Sequence, residues 1–160
     1  MSMYELFIKD FVVRTNKNLE YIEEKKENGD EVYEVTQLVN SFLGLIVFPK
    51  EKALDQIRRI SDDQHIIQII TSCIIENSYQ GRRREINLTN LIYHIRNAIA
   101  HGGVEFFHDE SNEIHSISFY DYIKNKRGTI REKFYIVMDI SQIRAFVKLF
   151  SEKFIETYNN

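Results

Sequence analysis

The sequence is poor in residues that cross-link or interrupt a chain. Its 160 residues include one cysteine, Cys73, and one proline, Pro49. A single cysteine excludes an intrachain disulfide, and the apolar surroundings of Cys73 (IIQIITSCII) predict a small buried side chain rather than a reactive thiol. A chain of this length can bury about two-thirds of its unfolded surface without such a cross-link. We therefore expect one domain over residues 1–160.

Long apolar runs and an excess of one charge are also missing. No run approaches the roughly 18 apolar residues of a membrane span, and the acidic N-terminal stretch MSMYELFIKD lacks the basic and apolar segments of a signal peptide. We therefore expect a cytoplasmic protein with no membrane partner. The formal net charge of −3 argues against binding nucleic acid through overall charge, so any such contact requires a local basic patch.

Several familiar catalytic patterns are absent. The sequence has no P-loop, no Rossmann glycine pattern and no G-x-S-x-G elbow. His108 and His115 flank a predicted hairpin, but no Cys/His spacing supplies the three or four ligands of a zinc site. Glu105 and Asp121 are isolated carboxylates with no acid/base partner in the pattern. We expect neither a metal nor a cofactor.

Apolar residues at helical spacing predict two long helices at the start of the chain. A capping box of Ser2 and Glu5 opens the first helix, and Gly29 ends it. The second helix runs from about Val32 to Pro49, because the residue before a proline avoids the helical region. The short link at Gly29 predicts an antiparallel pair.

The next segment, residues 50–80, admits two interpretations. Residues 53–60 suit a short helix, and Ser61 with Gln64 suits the cap of another helix that reaches Ile74. This isoleucine-rich stretch is also compatible with a strand, because β-branched residues favour sheets. We favour the helix, since the rest of this half of the chain is helical.

The apolar period changes from helical to twofold after Gly103, which predicts a small antiparallel sheet. The expected strands cover residues 104–107, 113–122 and 131–138. Asp139 and Gln142 then form a capping pair that opens a last helix. The predicted fold is mainly α: an antiparallel helical bundle with a sheet of about three strands, roughly residues 104–138, inserted before the final helix.

The most informative segment is LTNLIYHIRNAIAHGG, residues 88–103. One helical stripe is formed by Leu88, Leu91, Ile92, Ile95 and Ile99. Two glycines end the helix, as is usual at a helix C-terminus. Arg96, Asn97 and His101 lie just before this end, with four residues between the arginine and the histidine.

The positions of these polar residues allow two interpretations. On a straight helix Arg96 and His101 would be about 140° apart, but the glycines allow the backbone to turn, so the two side chains can line one cleft from its two sides. Alternatively, both residues interact only with the dipole at the helix C-terminus. In helical projection His94, Asn97 and His101 share the polar face.

The segment LIYHIRNAIAHGGVEF resembles the signature of the HEPN superfamily, R-x(4–6)-H, in which a polar residue often follows the arginine. Here Arg96, Asn97 and His101 match. Two long helices before the motif, a motif late on its helix and a closing helix are similar to the superfamily's bundle. The stretch LVNSFLGLIVFPKEK resembles a bacterial branch of HEPN-family nucleases.

This resemblance implies a metal-independent endoribonuclease that acts on RNA as a homodimer, in bacterial defence or as a toxin with an antitoxin or activator. His101 would serve as general base on a ribose 2′-hydroxyl. Arg96 would stabilise the charge that develops on the scissile phosphate, and Asn97 would orient the phosphate or the histidine. Because one histidine cannot easily be both base and acid, a twofold dimer would supply the second one.

Five further residues are candidates for substrate binding. The run Arg82, Arg83 and Arg84 is either a solvated loop or a phosphate-contacting patch at the mouth of the site. Tyr93 can stack on a base, pack in the core or contact a second subunit. His94 faces the same cleft or is a plain surface histidine.

The resemblance has a limit. HEPN toxins that are paired with nucleotidyltransferase antitoxins often carry a tyrosine two residues after the histidine, where this chain has Gly103. Regulation through that tyrosine is therefore not expected. Two alternatives remain: a non-catalytic HEPN module that binds RNA, a nucleotide or a protein, and a helical adaptor unrelated to HEPN, in which Arg96 and His101 lie apart and solvated.

Overall fold

The computed structural model describes residues 3–158, with side chains described except at 3–5 and 49–52. The expected capping box of Ser2 and Glu5 lies outside these described residues. The helices are α1 (Met3–Glu27), α2 (Glu34–Lys52), α3 (Leu54–Arg59), α4 (Gln64–Cys73), α5 (Leu88–Ala100) and α6 (Ile140–Glu156). The strands are β1 (Ile74–Asn77), β2 (Val104–His108), β3 (Ile114–Lys124) and β4 (Ile130–Asp139), and a 3₁₀ turn spans Gly81–Arg84. The predicted mainly α fold with a small antiparallel sheet is confirmed.

The first two helices form the expected antiparallel pair. Gly29 follows α1 with φ +84°, and its N–H donates to the carbonyl of Lys26 (3.0 Å). Such a left-handed residue favours glycine and ends the helix. Away from this turn, the rings of Phe11 in α1 and Phe48 in α2 lie with their centroids 5.0 Å apart. The chain therefore reverses at Gly29 as predicted.

The predicted end of α2 at Pro49 is wrong, because the helix continues to Lys52. A proline removes one backbone donor and disturbs the carbonyl four residues earlier. In the last turn of a helix the missing donor removes a single backbone hydrogen bond, so the helix can continue past the proline. Proline therefore marks the neighbourhood of the helix end rather than the end itself.

The predicted cap at Ser61 is also wrong. The N-cap of α4 is Asp63, whose carboxylate accepts from the backbone N–H groups of His65 and Ile66. Ser61 instead accepts from the backbone N–H of Thr89 (3.1 Å), and the two hydroxyl oxygens lie 2.8 Å apart. Ser61 therefore joins the loop before α4 to the first turn of α5.

The sheet has four strands within the described residues, in the order β1-β4-β3-β2, and every neighbouring pair is antiparallel. The three strands expected between residues 104 and 138 are confirmed, whereas a strand in the isoleucine-rich stretch, where β1 begins, was only the less favoured interpretation. The helix favoured for the isoleucine-rich stretch ends at Cys73, and Ile74 begins β1 opposite Ile136. The sheet is thus not confined to an insertion before α6, because its first strand precedes α5.

The core lies between the inner face of the sheet and the helices. α5 packs on β3 and against α2, α3 and α4, while α6 covers β3, β4 and the first two helices. Aromatic rings connect these layers: Phe42 of α2 lies 5.9 Å from Phe119 of β3 and 5.6 Å from Phe146 of α6. On the outside, Arg144 of α6 forms ion pairs with Glu23 and Glu34.

None of the helices within residues 3–158 has the length and apolar character that a membrane span requires.

The start of α6 carries the predicted capping box. Asp139 accepts from the backbone N–H of Gln142 (2.8 Å), and the Gln142 side chain accepts from the backbone N–H of Asp139 (2.9 Å). The Ser141 hydroxyl also donates to Asp139 (2.6 Å). This last hydrogen bond is the main cause of a lowered pKa of Asp139, so the ionised carboxylate is the form that caps the helix.

We expect Asp139→Ala to lower the free energy of unfolding by about 1 kcal/mol at neutral pH, as for other lost N-caps. Because the folded-state pKa is lowered, the contribution of the charged cap is present above the usual pKa of an aspartate and is lost as the pH falls through the folded-state value. Urea denaturation at pH 7 and below pH ~4 measures this difference. Glu110→Ala, at an exposed turn position, is the matched control, and an equal effect of both variants would contradict the prediction.

Candidate active site

The motif helix α5 is placed by a cap at each end. Asn87 accepts from the backbone N–H of Asn90 (2.9 Å) at its start, and His101 is the C-cap, whose N–H donates to the carbonyl of Asn97 (3.0 Å). Gly102 follows with φ +72°. The next N–H, that of Gly103, donates back to the carbonyl of Ala98 (2.7 Å). The predicted glycine stop therefore reverses the chain immediately after the motif histidine.

Gly103 then meets strand β3 more closely than any other residue type could. Its carbonyl accepts from the backbone N–H of Tyr120 (2.8 Å). A Cβ atom on Gly103 would lie 2.1 Å from the Tyr120 carbonyl oxygen, well inside van der Waals contact. The absence of a side chain at Gly103 thus lets the end of α5 lie directly on β3.

This contact places His101 at the edge of a groove of about 450 Å³. His101 and the two glycines form one wall, and the floor is the outer face of the sheet, with Tyr120 and Tyr135 among its lining residues. The His101 side chain is exposed. A histidine that is open to solvent at the wall of a groove can exchange a proton with a bound molecule.

The other two motif residues have different surroundings. Arg96 is exposed on the last full turn of α5, whereas Asn97 is half-buried. The Asn97 side-chain amide donates to Asp121 Oδ2 of β3 (3.4 Å). Asn97 is therefore oriented by the sheet, and a shared cleft of Arg96 and His101 stays a prediction.

The expected position of His94 on an exposed polar face is wrong. Its side chain is 1% exposed, and its ring stacks on Phe134 of β4 with centroids 4.3 Å apart. Ring nitrogen Nδ1 lies 2.7 Å from Asp121 Oδ2, and Nε2 lies 3.3 Å from the Arg83 carbonyl oxygen. The sheet covers the side of α5 that helical projection marks as polar. A substrate-binding role for His94 stays a prediction, now for a buried residue.

The interpretation of Asp121 as an isolated carboxylate is wrong. Asp121 is 5% exposed, and the same carboxylate oxygen lies near His94 and Asn97 and accepts from the hydroxyl of Tyr79 (3.0 Å). Burial and this hydrogen bond raise the pKa of Tyr79, which keeps its hydroxyl a donor. The available signal was the alternation of β3, which places Asp121 on the same face as Ile117 and Phe119. An acid on an apolar face requires partners.

The arginines of the 3₁₀ turn lie beside the first half of α5. Arg82, Arg83 and Arg84 are all exposed. The Arg83 guanidinium lies 3.6 Å from the centroid of the Tyr93 ring and donates to the side chain of Asn90 (3.2 Å). One face of Tyr93 is therefore occupied by a cation rather than open to a base. The roles of the three arginines and of Tyr93 in substrate binding stay predictions.

None of the three arginines is among the residues that line the His101 groove. Asn90 holds their turn by donating to the carbonyl groups of Arg82 (2.7 Å) and Glu85 (2.9 Å). The Arg83 carbonyl oxygen lies beside His94, which precedes His101 by seven residues, or roughly 10 Å along α5 at 1.5 Å per helical residue. A polynucleotide strand could contact both positions.

Clusters of three or more His, Cys, Asp or Glu side chains that could hold a metal ion were not found within residues 3–158. The titratable residues near the motif have two kinds of surroundings. Asp121 belongs to a buried hydrogen-bonded group, whereas Arg96 and His101 are each exposed. The chemistry that these residues can offer is proton transfer and stabilisation of an anion.

Comparison with known proteins identifies one family. The profile of a family described as HEPN pEK499 p136 matches residues 1–160. No curated protein and no solved structure matches this chain.

We expect Asp121→Ala to lower the free energy of unfolding by roughly 3 kcal/mol, because it leaves buried polar groups of Tyr79 and His94 without their partner. Asp121→Asn keeps one acceptor and should lose less. Asp30→Ala removes an exposed carboxylate that pairs with Lys25 and should change stability by less than about 0.5 kcal/mol. Chemical denaturation measures all three, and equal values for Asp121→Ala and Asp30→Ala would contradict the prediction.

The two glycines after His101 provide a second test. Asparagine tolerates the left-handed conformation, and the space around Gly102 is open, so Gly102→Asn should cost less than about 1 kcal/mol. Gly103→Asn must push its Cβ into the Tyr120 carbonyl and should cost roughly 3 kcal/mol or fail to fold. Thermal denaturation of the pair measures the difference. A Gly103→Asn protein as stable as Gly102→Asn would show that α5 and β3 do not approach as described.

Proposed function

We propose that this chain, which belongs to the HEPN family described as HEPN pEK499 p136, is a metal-independent endoribonuclease. Membership in the family indicates a nuclease-type or nucleotide-related function. The observation that carries the finer proposal is the intact Arg96-Asn97-x-x-x-His101 motif at the end of α5, with an exposed His101 on the wall of a groove.

In the proposed reaction, His101 removes the proton from a ribose 2′-hydroxyl. The 2′-oxygen then attacks the adjacent phosphorus, and the bond from phosphorus to the 5′-oxygen of the next nucleotide breaks. The products are a 2′,3′-cyclic phosphate and a 5′-hydroxyl end. The Arg96 guanidinium, which is exposed near the end of the same helix, stabilises the added negative charge on the phosphate oxygens with its planar set of donors.

The leaving 5′-oxygen needs a proton, and a single imidazole that has just taken one is poorly placed to supply it. A twofold homodimer that brings two copies of α5 together would provide His101 from the partner as the acid. The exposure of Arg96 and His101 in one chain is compatible with such an arrangement. We therefore propose that the dimer is the catalytic unit.

Asn97 contributes by position rather than by proton transfer. Its amide nitrogen is committed to Asp121 (3.4 Å), which leaves its side-chain oxygen to accept from a neighbouring donor.

The resemblance to HEPN nucleases supports a role in bacterial defence or as a toxin that an antitoxin or activator controls.

The second candidate function is a non-catalytic HEPN module that binds RNA, a nucleotide or a protein. The observation that favours it is the charge of the site: the chain has a net charge of −3, and the His101 groove is lined by Glu76 and Glu105 as well as by Lys133. These carboxylates oppose placement of a scissile phosphate beside His101, whereas they do not oppose binding of a protein or of the base of a nucleotide.

RNA cleavage in EDTA distinguishes the two functions. We expect the purified protein to cleave single-stranded RNA and to leave cyclic phosphate and 5′-hydroxyl ends. His101→Ala should lower the rate at least 100-fold, which is the usual contribution of a general base. His65→Ala is the matched control, because the His65 side chain is 79% exposed on α4, away from the groove.

Arg96→Lys and Arg96→Ala extend this test. Lysine keeps the charge but loses the fork of donors, so both variants should cleave more slowly than wild type. Equal cleavage by His101→Ala and wild type would contradict the assignment of the base. Binding of RNA by wild type without cleavage would favour the non-catalytic module.

A further inference from the structure

Tyrosines form an aromatic array on the outer face of the sheet, which the helices leave uncovered. Tyr120 of β3 lies opposite Tyr135 of β4 in the register, and their ring centroids are 6.0 Å apart in an edge-to-face arrangement. Tyr122, two residues further along the same face of β3, has its ring centroid 5.2 Å from that of Tyr120. None of the three rings belongs to the core. We call Tyr120, Tyr122 and Tyr135 the tyrosine platform.

The platform and the motif histidine share one groove. The groove of about 450 Å³ is lined by all three tyrosines and by His101. Gly103 lines the same groove, and its carbonyl accepts a hydrogen bond from the backbone N–H of Tyr120. A pocket of this volume is within the size range of small-molecule sites. A planar group lying on the platform would therefore be adjacent to His101.

Charge in the groove favours a neutral planar group over an anion. Glu76 forms an ion pair with Lys133 across the groove (2.8 Å), which neutralises that lysine. Glu105 is exposed on the same lining, and a carboxylate accepts hydrogen bonds from the amino groups of bases while it repels phosphate. Lys124 Nζ lies over the Tyr122 ring, 4.9 Å from its centroid, so it occupies one face of that ring as Arg83 does at Tyr93. The lysine side chain is exposed and has a flexible stem. In the proposed complex it would leave that face to a base and pair with a phosphate at the rim.

We infer that the tyrosine platform is a stacking site for an unpaired nucleobase of single-stranded RNA, next to the phosphate that His101 acts on. Aromatic side chains bind single strands in this way, because every base has a π-face whereas the faces in a duplex are already stacked. Tyr122 is the outermost ring, 37% exposed, and is the best probe. The inference takes its ligand, single-stranded RNA, from the proposed nuclease function. The binding test below does not require that the protein cleaves RNA.

The test is equilibrium binding of a labelled, fully 2′-O-methylated single-stranded oligonucleotide, which the proposed reaction cannot cleave, to the full-length protein. Tyr122→Leu removes the ring but keeps apolar bulk, and Tyr122→Phe keeps the ring without the hydroxyl. We expect about ten-fold weaker binding for Tyr122→Leu, as for loss of other stacking side chains, and little change for Tyr122→Phe. Tyr33→Leu, at a ring that is 78% exposed before α2, is the control for a lost surface tyrosine. A duplex of the same sequence should bind wild type more weakly than the single strand.

The outcomes separate this inference from the nuclease proposal. Weaker binding by Tyr122→Leu alone supports the platform, even if wild type fails to cleave unmodified RNA and the nuclease proposal falls. Equal binding by Tyr122→Leu and wild type overturns the platform, even if wild type cleaves RNA. Loss of binding in Tyr122→Phe as well would overturn stacking as the mechanism, because that variant retains the ring. No measurable affinity of wild type for the single strand would also overturn it.

Discussion

The contact between Gly103 and the backbone of Tyr120 joins the motif helix to the sheet. Its hydrogen bond of 2.8 Å contributes only about 1 kcal/mol by itself. The larger consequence is steric, since the space that a Cβ would need is taken by the Tyr120 carbonyl. The position of His101 and the direction in which β2 leaves the helix both follow from this approach. The helix terminus and the outer face of the sheet therefore form one site rather than two.

Asp121 makes a second connection between the same two elements, on the inner face. Burying a carboxylate in an apolar interface costs several kcal/mol of desolvation free energy, which hydrogen bonds and charge interactions must offset. Here one oxygen is shared by Tyr79, His94 and Asn97, which come from the segment before the 3₁₀ turn and from two successive turns of α5. Apolar contacts alone would allow α5 to slide or rotate on the sheet, whereas this directional group of hydrogen bonds holds one register. The motif residue Asn97 is thereby fixed from the core side while His101 is fixed by the glycines.

The features that sequence reasoning predicted correctly depend on neighbours in the chain. The glycine stop of α5 and the Asp139 cap of α6 are local arrangements, so spacing and residue type suffice to find them. Strand β1 was not favoured, because its pairing partner, β4, begins more than fifty residues later, and an isoleucine-rich stretch fits a helix or a strand equally well. His94 was misplaced for a related reason. A helical projection shows which residues share a face, but it does not show that a sheet covers the polar one.

The charge of the molecule bears on how it would hold RNA. Binding through many phosphate contacts is strong, unspecific and weakened by salt, and a chain with net charge −3 is poorly suited to it. The basic residues are instead local: Arg82, Arg83 and Arg84 lie along the first half of α5, and Lys124 lies at the rim of the tyrosine platform. In the proposed reaction these cations would orient a strand, while stacking of a base would supply affinity that does not depend on phosphate charge. The carboxylate of Glu105 then acts against a wrong binding mode, because a phosphate that entered the position of the base would be repelled by it, whereas Glu76 is paired with Lys133. An acidic chain can thus act on a polyanion if it recognises one base and one phosphate rather than a length of backbone.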